Sequence, residues 1–498
     1  MASSPTVGAC CLALSFLLGN KTYFPSSPSY LESLTSYFSI QASTIHPQCI
    51  VFPETADDVS LVVKTLTGLY VDLENETKKE CQFAIRSGGH TPWEGAANID
   101  GGVTLDLRRL NSVQVNSAAA TVSLGVGGSW DKAYSKLEPL NLSVNGGRSA
   151  GVGIGGLSTG GGISYFGTRY GWTADTIVNY EIVLANGSIV DANANKNPDL
   201  LWALRGGSNN FGVVTRIDVQ TFEQGSFFGG FAYYLPDVWV DEVHEFVRLN
   251  DPATYDEFAH FTLTWGFSAA AGLVVANQLE YTKAVEDPPI FAKLRSLPAL
   301  FRKDGISNVT QLTKDMRAQD VIGQRIFWNT LTFVSTEAAV NATFLRFKES
   351  SSTIAGVSGI LSSLTLEPLP PALYARHHSS NALGFDQREN LNQSLVIALL
   401  SVSYTSAEDD QIIETYGRSL MDAINEDMRR LKTLDPFLYL PYAAPYQDPL
   451  SSYTEANLRH LREIATKWDP HRTFQYQVPG GFKLFSAESS TPSFCYGS

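Results

Sequence analysis

One stretch, Gly146–Gly171, constrains this chain more than any other: GGRSAGVGIGGLSTGGGISYFGTRYG holds 11 glycines in 26 residues. Without Cβ atoms such a segment lets a ligand approach the backbone closely and adopts positive φ at little cost. Successive N–H groups in it can bind an anion such as a pyrophosphate. Flexible linkers are also rich in glycine. Here Val152, Ile154, Leu157, Ile163, Tyr165 and Phe166 interleave with the glycines, which predicts a packed loop. Gly151–Gly156 satisfies G-x-G-x-x-G, but in so dense a run the match arises easily. No strand–turn–helix unit with an acidic residue about 20 positions on surrounds it. A Rossmann reading is therefore poor, and the pattern points to a dinucleotide held in another way.

The 498 residues suffice for two or three domains, and 44% hydrophobic against 17% charged residues allows a large core. The net charge of −14 and the absence of Lys/Arg runs exclude a nucleic-acid partner. A small uncharged or cationic molecule fits this balance better. The apolar run Ala9–Leu18 is too short to span a membrane. No Lys or Arg precedes it and no clear cleavage site follows, so it reads as the first helix of the mature domain. The five cysteines are Cys10, Cys11, Cys49, Cys81 and Cys495; none forms C-x-x-C, and no metal site is suggested. Sequons at Asn20, Asn75, Asn141, Asn186, Asn308, Asn341 and Asn392 exceed chance and favour the secretory pathway or secretion of a glycoprotein. In that setting a bridge from Cys10 or Cys11 to Cys49 is expected; the other reading is reduced, buried thiols.

In chain order, His46–Pro53 reads as a strand. Thr55-x-x-Asp58 opens a helix bearing Val59, Val62, Val63 and Leu66. Gln82–Ile85 is a strand running into the sharp turn Arg86–His90, and Ala120–Val126 is another, followed by a helix capped by Ser129. Asn186-Gly187 between Glu181–Ala185 and Ser188–Ala192 predicts a hairpin. Asn197-Pro198 predicts an N-cap and first helical position. Val213–Val219 closes this α+β region. Beyond Phe222, strands are expected at Phe231–Leu235, His260–Trp265, Leu273–Tyr281, Phe327–Val334 and Leu395–Tyr404. Helices are expected at Asp237–Leu249, Ala338–Glu349 and Gln411–Leu431. This is an antiparallel sheet with helices on one face. Phe437–Tyr442 reads as a short aromatic strand, Asn457–Trp468 as an amphipathic helix, and the tail after Phe485 as loose.

Arg86-Ser-Gly-Gly-His90, the glycine-rich run, Asn197-Pro-Asp-Leu-Leu-Trp-Ala-Leu-Arg-Gly-Gly and Asn210-Phe-Gly-Val-Val-Thr form a set. It resembles the vanillyl-alcohol-oxidase superfamily, in its berberine-bridge-enzyme-like branch of fungal secondary-metabolite oxidases. Gln447-Asp-Pro and Trp468-Asp-Pro resemble that branch's C-terminal segment. The resemblance implies an α+β fold: a lead-in (1–43), a PCMH-type FAD domain (44–222), a substrate domain (223–432), a segment completing the FAD domain (433–485) and a tail (486–498). It implies FAD contacts from Arg86, Ser87, Gly88, Gly89, His90 and Thr91, and from Ser149, Val152, Gly155, Gly156, Ser158, Gly160, Gly161, Gly162 and Val190. It implies an 8α-histidyl bond through His90, and a neutral imidazole at a rigid turn is a competent nucleophile. His377 and His378 lack such context and are expected at the surface or lining a pocket.

Two departures from the family pattern bear on function. Ser149 stands where many relatives place a Cys that links the flavin a second time, so a single bond and a lower flavin potential are expected. Val152 resembles the oxidase type, which leaves room for O2. Pro441 replaces the usual Asn beside the flavin, removing its hydrogen bonds and limiting strand pairing. If the segment is a strand, Tyr439 shares a face with position 441. Tyr439 is then the first candidate for a substrate-facing phenol and Tyr442 the second; a phenol near pKa 10 needs a lowered pKa to act as a base. The expected activity is an FAD-linked oxidase of a small organic molecule, with O2 as acceptor. The alternatives are an oxidative or redox-neutral cyclase, or a non-enzymatic flavin-binding protein.

Overall fold

The computed structural model describes residues 8–72 and 77–485. The tail 486–498 and the sequon at Asn75 lie outside the described residues. Ala9–Leu18 forms a helix whose Cys10 and Cys11 are fully buried. Cys11 is bridged to Cys49, one of the two pairings expected, and Cys10 to Cys81, a pairing the sequence did not indicate. The bridges close loops of 71 and 38 residues, each worth about 4 kcal/mol by loop entropy. Among the described residues no helix is long and apolar enough to cross a membrane.

The first sheet has four strands, with Phe83–Arg86 and Cys49–Val51 both parallel to Val103–Asp106. The helix Ala56–Asp72 connects two of them. Its start is a capping box: Asp58 N–H donates to Thr55 Oγ1 (3.1 Å) and Asp58 Oδ2 accepts from Thr55 N–H (3.1 Å). A six-stranded sheet follows. In it Ile177–Val183 and Ile189–Asn193 form the expected hairpin, with Gly187 at φ +77°. Pro198 opens its helix as expected, but Asn197 makes no side-chain cap. It adopts the left-handed conformation, and its amide donates instead to the Asp191 carbonyl (2.7 Å). Ser129 likewise precedes Trp130–Leu137 without a side-chain bond.

The glycine-rich run is a packed loop with two helical pieces, Ile154–Thr159 and Gly167–Tyr170. Ile154, Ile163, Tyr165 and Phe166 are buried, as the interleaving predicts.

The third sheet has eight strands, all antiparallel to their neighbours. All five expected strands are present, and three more occur at Ala299–Ser307, Leu361–Leu369 and Leu434–Asp435. Alternation gives the sheet two different faces. Leu263, Trp265, Val275, Leu364, Ala398 and Leu400 point to a core covered by the helices Trp239–Asn250, Glu337–Ser351 and Asp410–Leu431. Ser363, Thr365, Glu367, Leu399, Ser401 and Trp328 point the other way, into a cavity. Phe437–Tyr442 is not a strand. Leu440–Tyr442 is a single 3-10 turn, closed by Tyr442 N–H on the Tyr439 carbonyl (2.9 Å) and Ala443 N–H on that of Leu440 (3.2 Å). Pro441, with fixed φ and no N–H, suits this turn and not a ladder.

Candidate functional site

A cavity of about 420 Å³ lies between the Arg86–Thr91 turn, the glycine-rich run, the hydroxyl-bearing face of the eight-stranded sheet and the C-terminal segment. The Phe83–Arg86 strand delivers the turn to its wall. The N-terminal lead-in fixes the turn from behind. Arg86 lies over the Tyr37 ring (3.5 Å to its centroid), donates to the Ser33 carbonyl (2.6 Å) and to Ser36 Oγ (2.8 Å), and pairs with Asp106 (3.5 Å). Phe38 N–H donates to the Gly89 carbonyl (3.1 Å). Arg86 is thus a buried strut of the turn and does not reach the cavity wall.

Ser87, Gly88, Gly89, His90 and Thr91 line the cavity, as do Ser149, Val152, Gly155 and Gly156. Ser87 Oγ joins the two glycine segments, donating to the Val126 carbonyl (2.6 Å) and accepting from Gly155 N–H (3.0 Å). Gly88 and Gly153 touch backbone to backbone: a Cβ on Gly88 would sit 2.5 Å from Gly153 N. A Cβ on Gly156 would meet nothing within 4 Å, so this wall opens onto free space. Arg148 is the one Lys or Arg among the described lining residues, and it is paired with a carboxylate. An anion in this cavity must therefore rely on main-chain amides.

The remaining candidates sit behind the wall. Ser158 Oγ donates to the Ile154 carbonyl (2.6 Å) within its own helix. Gly160 packs against Pro441, and Gly161 and Gly162 pack against Leu383 and Thr173. Val190 lies in the hairpin strand Ile189–Asn193, away from the cavity lining.

His90 stacks on Phe38, with ring centroids 4.0 Å apart, and faces Trp328 at 6.2 Å. Its Nε2 is shielded from solvent and has no hydrogen-bond partner. Burial, reinforced by the Arg317 cation, pulls its pKa down to about 3, so the imidazole is neutral. A neutral imidazole lining a glycine wall poor in cations fits a dinucleotide cofactor whose phosphates are met by main-chain amides. Ser149 Oγ donates to Asp320 Oδ2 (3.1 Å), which also pairs with Arg317 (3.3 Å); burial raises the Asp320 pKa above the usual carboxyl value.

At the sheet side the cavity ends in a buried polar cluster. Arg148 donates twice to Glu367, Nη1 to Oε2 (2.7 Å) and Nη2 to Oε1 (2.5 Å), and Nη2 also donates to Tyr442 Oη (2.9 Å). Tyr442 donates to Glu367 Oε1 (3.2 Å). Arg148 Nη1 lies 3.2 Å from His260 Nε2, which fixes that ring as a neutral tautomer with its proton on Nδ1, toward Glu280 (3.0 Å). Burial, then the Glu367 charge, pushes the Tyr442 phenol well above its ordinary pKa, so it stands protonated. Tyr439 also lines the cavity, but it is buried against Trp172, with centroids 5.6 Å apart, and burial raises its pKa too. His378 bonds the Ala375 carbonyl, and neither it nor His377 lines the cavity.

Residue-by-residue reading missed Arg148, Glu367, Asp320, Trp328 and His260. Arg148 carried a signal, as a lone cation inside a glycine run. Glu367 carried a weaker one, as an acid in the apolar alternation Leu364-Thr-Leu-Glu-Pro-Leu369.

An FAD binding domain family matches residues 47–193. The chain is 34% identical to the FAD-dependent monooxygenase CTB5 of Cercospora beticola, over 96% of this chain and 92% of that one. It is 36% identical to the oligopeptidase PhomG′ of Diaporthe leptostromiformis over 92% of itself, but spans only 36% of that longer protein. Two solved structures share the fold. One is a Physcomitrella patens BBE-like 1 variant (TM-score 0.77, 18% identity, 96% and 99% covered). The other is the xylooligosaccharide oxidase of Myceliophthora thermophila C1 in complex with xylobiose (TM-score 0.76, 19% identity, 97% and 100% covered).

Proposed function

Since the chain belongs to the vanillyl-alcohol-oxidase superfamily, in its berberine-bridge-enzyme-like branch of FAD-dependent oxidoreductases, we propose that it is an oxidase. Its substrate is a small organic molecule of secondary metabolism, its FAD is attached through His90, and O2 is the electron acceptor. The His90 imidazole carries this reading: neutral, shielded and unpartnered at the cavity wall. Phe38 and Trp328 hold the ring in place, and the glycines of the Ser87–Thr91 and Val152–Gly156 segments leave room for a pyrophosphate among main-chain amides. When bound, FAD would supply the two-electron redox chemistry between the substrate and O2.

The chain's own groups then handle the proton. Tyr442 is the residue we assign to it, in preference to Tyr439. Its hydroxyl already donates to Glu367 and accepts from Arg148. Taking a proton from a substrate hydroxyl while passing its own to Glu367 moves charge along an existing hydrogen bond. Arg148 balances the carboxylate before the transfer and stabilises a developing phenolate during it. Tyr439, buried under Trp172, orients Tyr442 by an edge contact (4.9 Å).

The name carried by the fungal relatives supports a second reading, insertion of one oxygen atom into the substrate. Turnover under ¹⁸O2 separates the two. An oxidase releases one H2O2 per product and leaves the product unlabelled; labelled product without H2O2 would favour a monooxygenase.

A further inference from the structure

The cavity does not exhaust the sheet face that lines it. Strand register carries one row of side chains from the cavity to the edge of the sheet: Leu399, Thr365, Thr264, Ala276, Tyr233 and Phe301 lie directly opposite one another in turn. The first two line the cavity. Thr264 and Ala276 are half-buried and small, and the Thr264 hydroxyl is bonded to that of Thr365 (3.0 Å). The floor between is therefore shallow and uncharged. At its far end Phe231, Tyr233 and Phe301 meet as a cluster of rings with centroids 5.7–6.5 Å apart, and Phe301 stays 52% exposed. A second link ties this shelf to the site: Tyr233 Oη donates to Gln319 (3.1 Å), the neighbour of cavity-lining Asp320. Lys303, two positions beyond Phe301 on the same face of the edge strand, is paired with Asp315 (2.8 Å), so the shelf carries no free charge from it.

We propose that Tyr233 and Phe301, with Phe231, form a distal subsite for an aromatic ring of the substrate. The inference rests on the oxidase reading and extends it. The substrate is elongated, its reacting carbon in the cavity and a second ring on the shelf. Three strand spacings separate Thr365 from Tyr233, which places that ring about 14 Å beyond the cavity floor. An exposed aromatic face offers offset or edge-on stacking to a flat apolar partner. A second copy of this chain fits less well. The edge strand carries Arg302, Lys303 and Asp304, and a bulge interrupts its pairing at Tyr233/Tyr234, both of which discourage edge-to-edge association.

The test uses the flavin-loaded enzyme and a series of 4-(phenylalkoxy)benzyl alcohols with the second ring about 8, 14 or 20 Å from the first. Binding is measured by calorimetry relative to one-ring 4-methoxybenzyl alcohol. Affinity should peak near the 14 Å compound, about tenfold above the one-ring alcohol. In Phe301→Ala that ratio should fall toward one. In Ile306→Ala, on the opposite face of the same edge strand and 41% exposed, it should persist. The proposal is overturned by a gain that grows steadily with length in all three proteins, by no gain at all, or by a dimer lost on Phe301→Ala. Oxidation is read separately. If the two-ring gain survives but no alcohol reduces the flavin, the oxidase reading fails and the subsite stands.

Discussion

Breaking the buried pair Arg148–Glu367 should destabilise the protein far more than removing both partners. The side chains are 9% and 4% exposed and joined by two hydrogen bonds of 2.7 and 2.5 Å. Arg148→Leu leaves a carboxylate, 4% exposed, with Tyr442 Oη as its one side-chain donor among the described residues. An uncompensated buried charge of this kind costs about 3–5 kcal/mol. Glu367→Leu strands the guanidinium and should cost a similar amount, about 3–5 kcal/mol. The double variant buries two apolar side chains of comparable bulk and should lie within about 1 kcal/mol of the wild type, or above it. The coupling in the cycle is then several kcal/mol, well beyond the roughly 0.5 kcal/mol within which independent sites add. Urea unfolding followed by near-ultraviolet circular dichroism measures all four proteins. All three variants should lose turnover, because Tyr442 loses one of its two partners in each single variant and both in the double. Singles that lose less than about 1 kcal/mol and simply add would place the pair in water and refute the buried cluster.

Tyr442→Phe should bind substrate but lower the chemical rate by about 10²–10⁴, the usual weight of a positioned acid–base group, as read by anaerobic flavin bleaching in stopped flow. Tyr439→Phe should lower it far less; the opposite order would reverse the assignment. Gly156→Ala adds a methyl into open space, so the apoprotein should melt as the wild type does while flavin content falls. Gly88→Ala drives Cβ to 2.5 Å from Gly153 N and should destabilise even the apoprotein, by about 1–3 kcal/mol. Equal stability of the two variants would contradict the described crossing of the segments. Glu242 is buried against Asn277 (2.8 Å), and burial raises its pKa from 4.5 to about 8. The folded state thus holds a proton that the unfolded chain releases at lower pH, so stability falls as pH rises from roughly 4.5 to 8. Glu242→Gln should flatten that fall in melting temperature; an unchanged pH slope would show that the group ionises freely.

Local chemistry was readable and long-range pairing was not. The Thr55–Asp58 capping box, the Asn186-Gly187 hairpin and the long strands beyond Phe222 follow from spacing of two to four residues, and they stand where that spacing puts them. The strand Leu361–Leu369 escaped because Ser362 and Pro368 occupy its apolar face, and with it went the acid of the cavity. The edge strand Ala299–Ser307 escaped because Arg302, Lys303, Asp304 and Gly305 disguise it, as edge protection does. Tyr439 does not share a period-two face with position 441, because Pro441 forces a turn in place of the expected strand. The turn Arg86–His90 and the glycine-rich run were legible because backbone exposure requires glycine itself. The Arg148–Glu367–Tyr442 cluster joins residues 219 and 294 positions apart, a distance over which no pattern in a single sequence speaks.

The central proposal is that the glycine-walled cavity holds FAD and that the His90 imidazole anchors it. Acid precipitation of the purified protein tests both together. The wild-type pellet should be yellow and its denatured band fluorescent in a gel, while His90→Ala should release all its FAD to the supernatant. Wild-type flavin found wholly in the supernatant would remove the anchor, and a colourless protein that takes up no added FAD would contradict the cavity's assignment altogether.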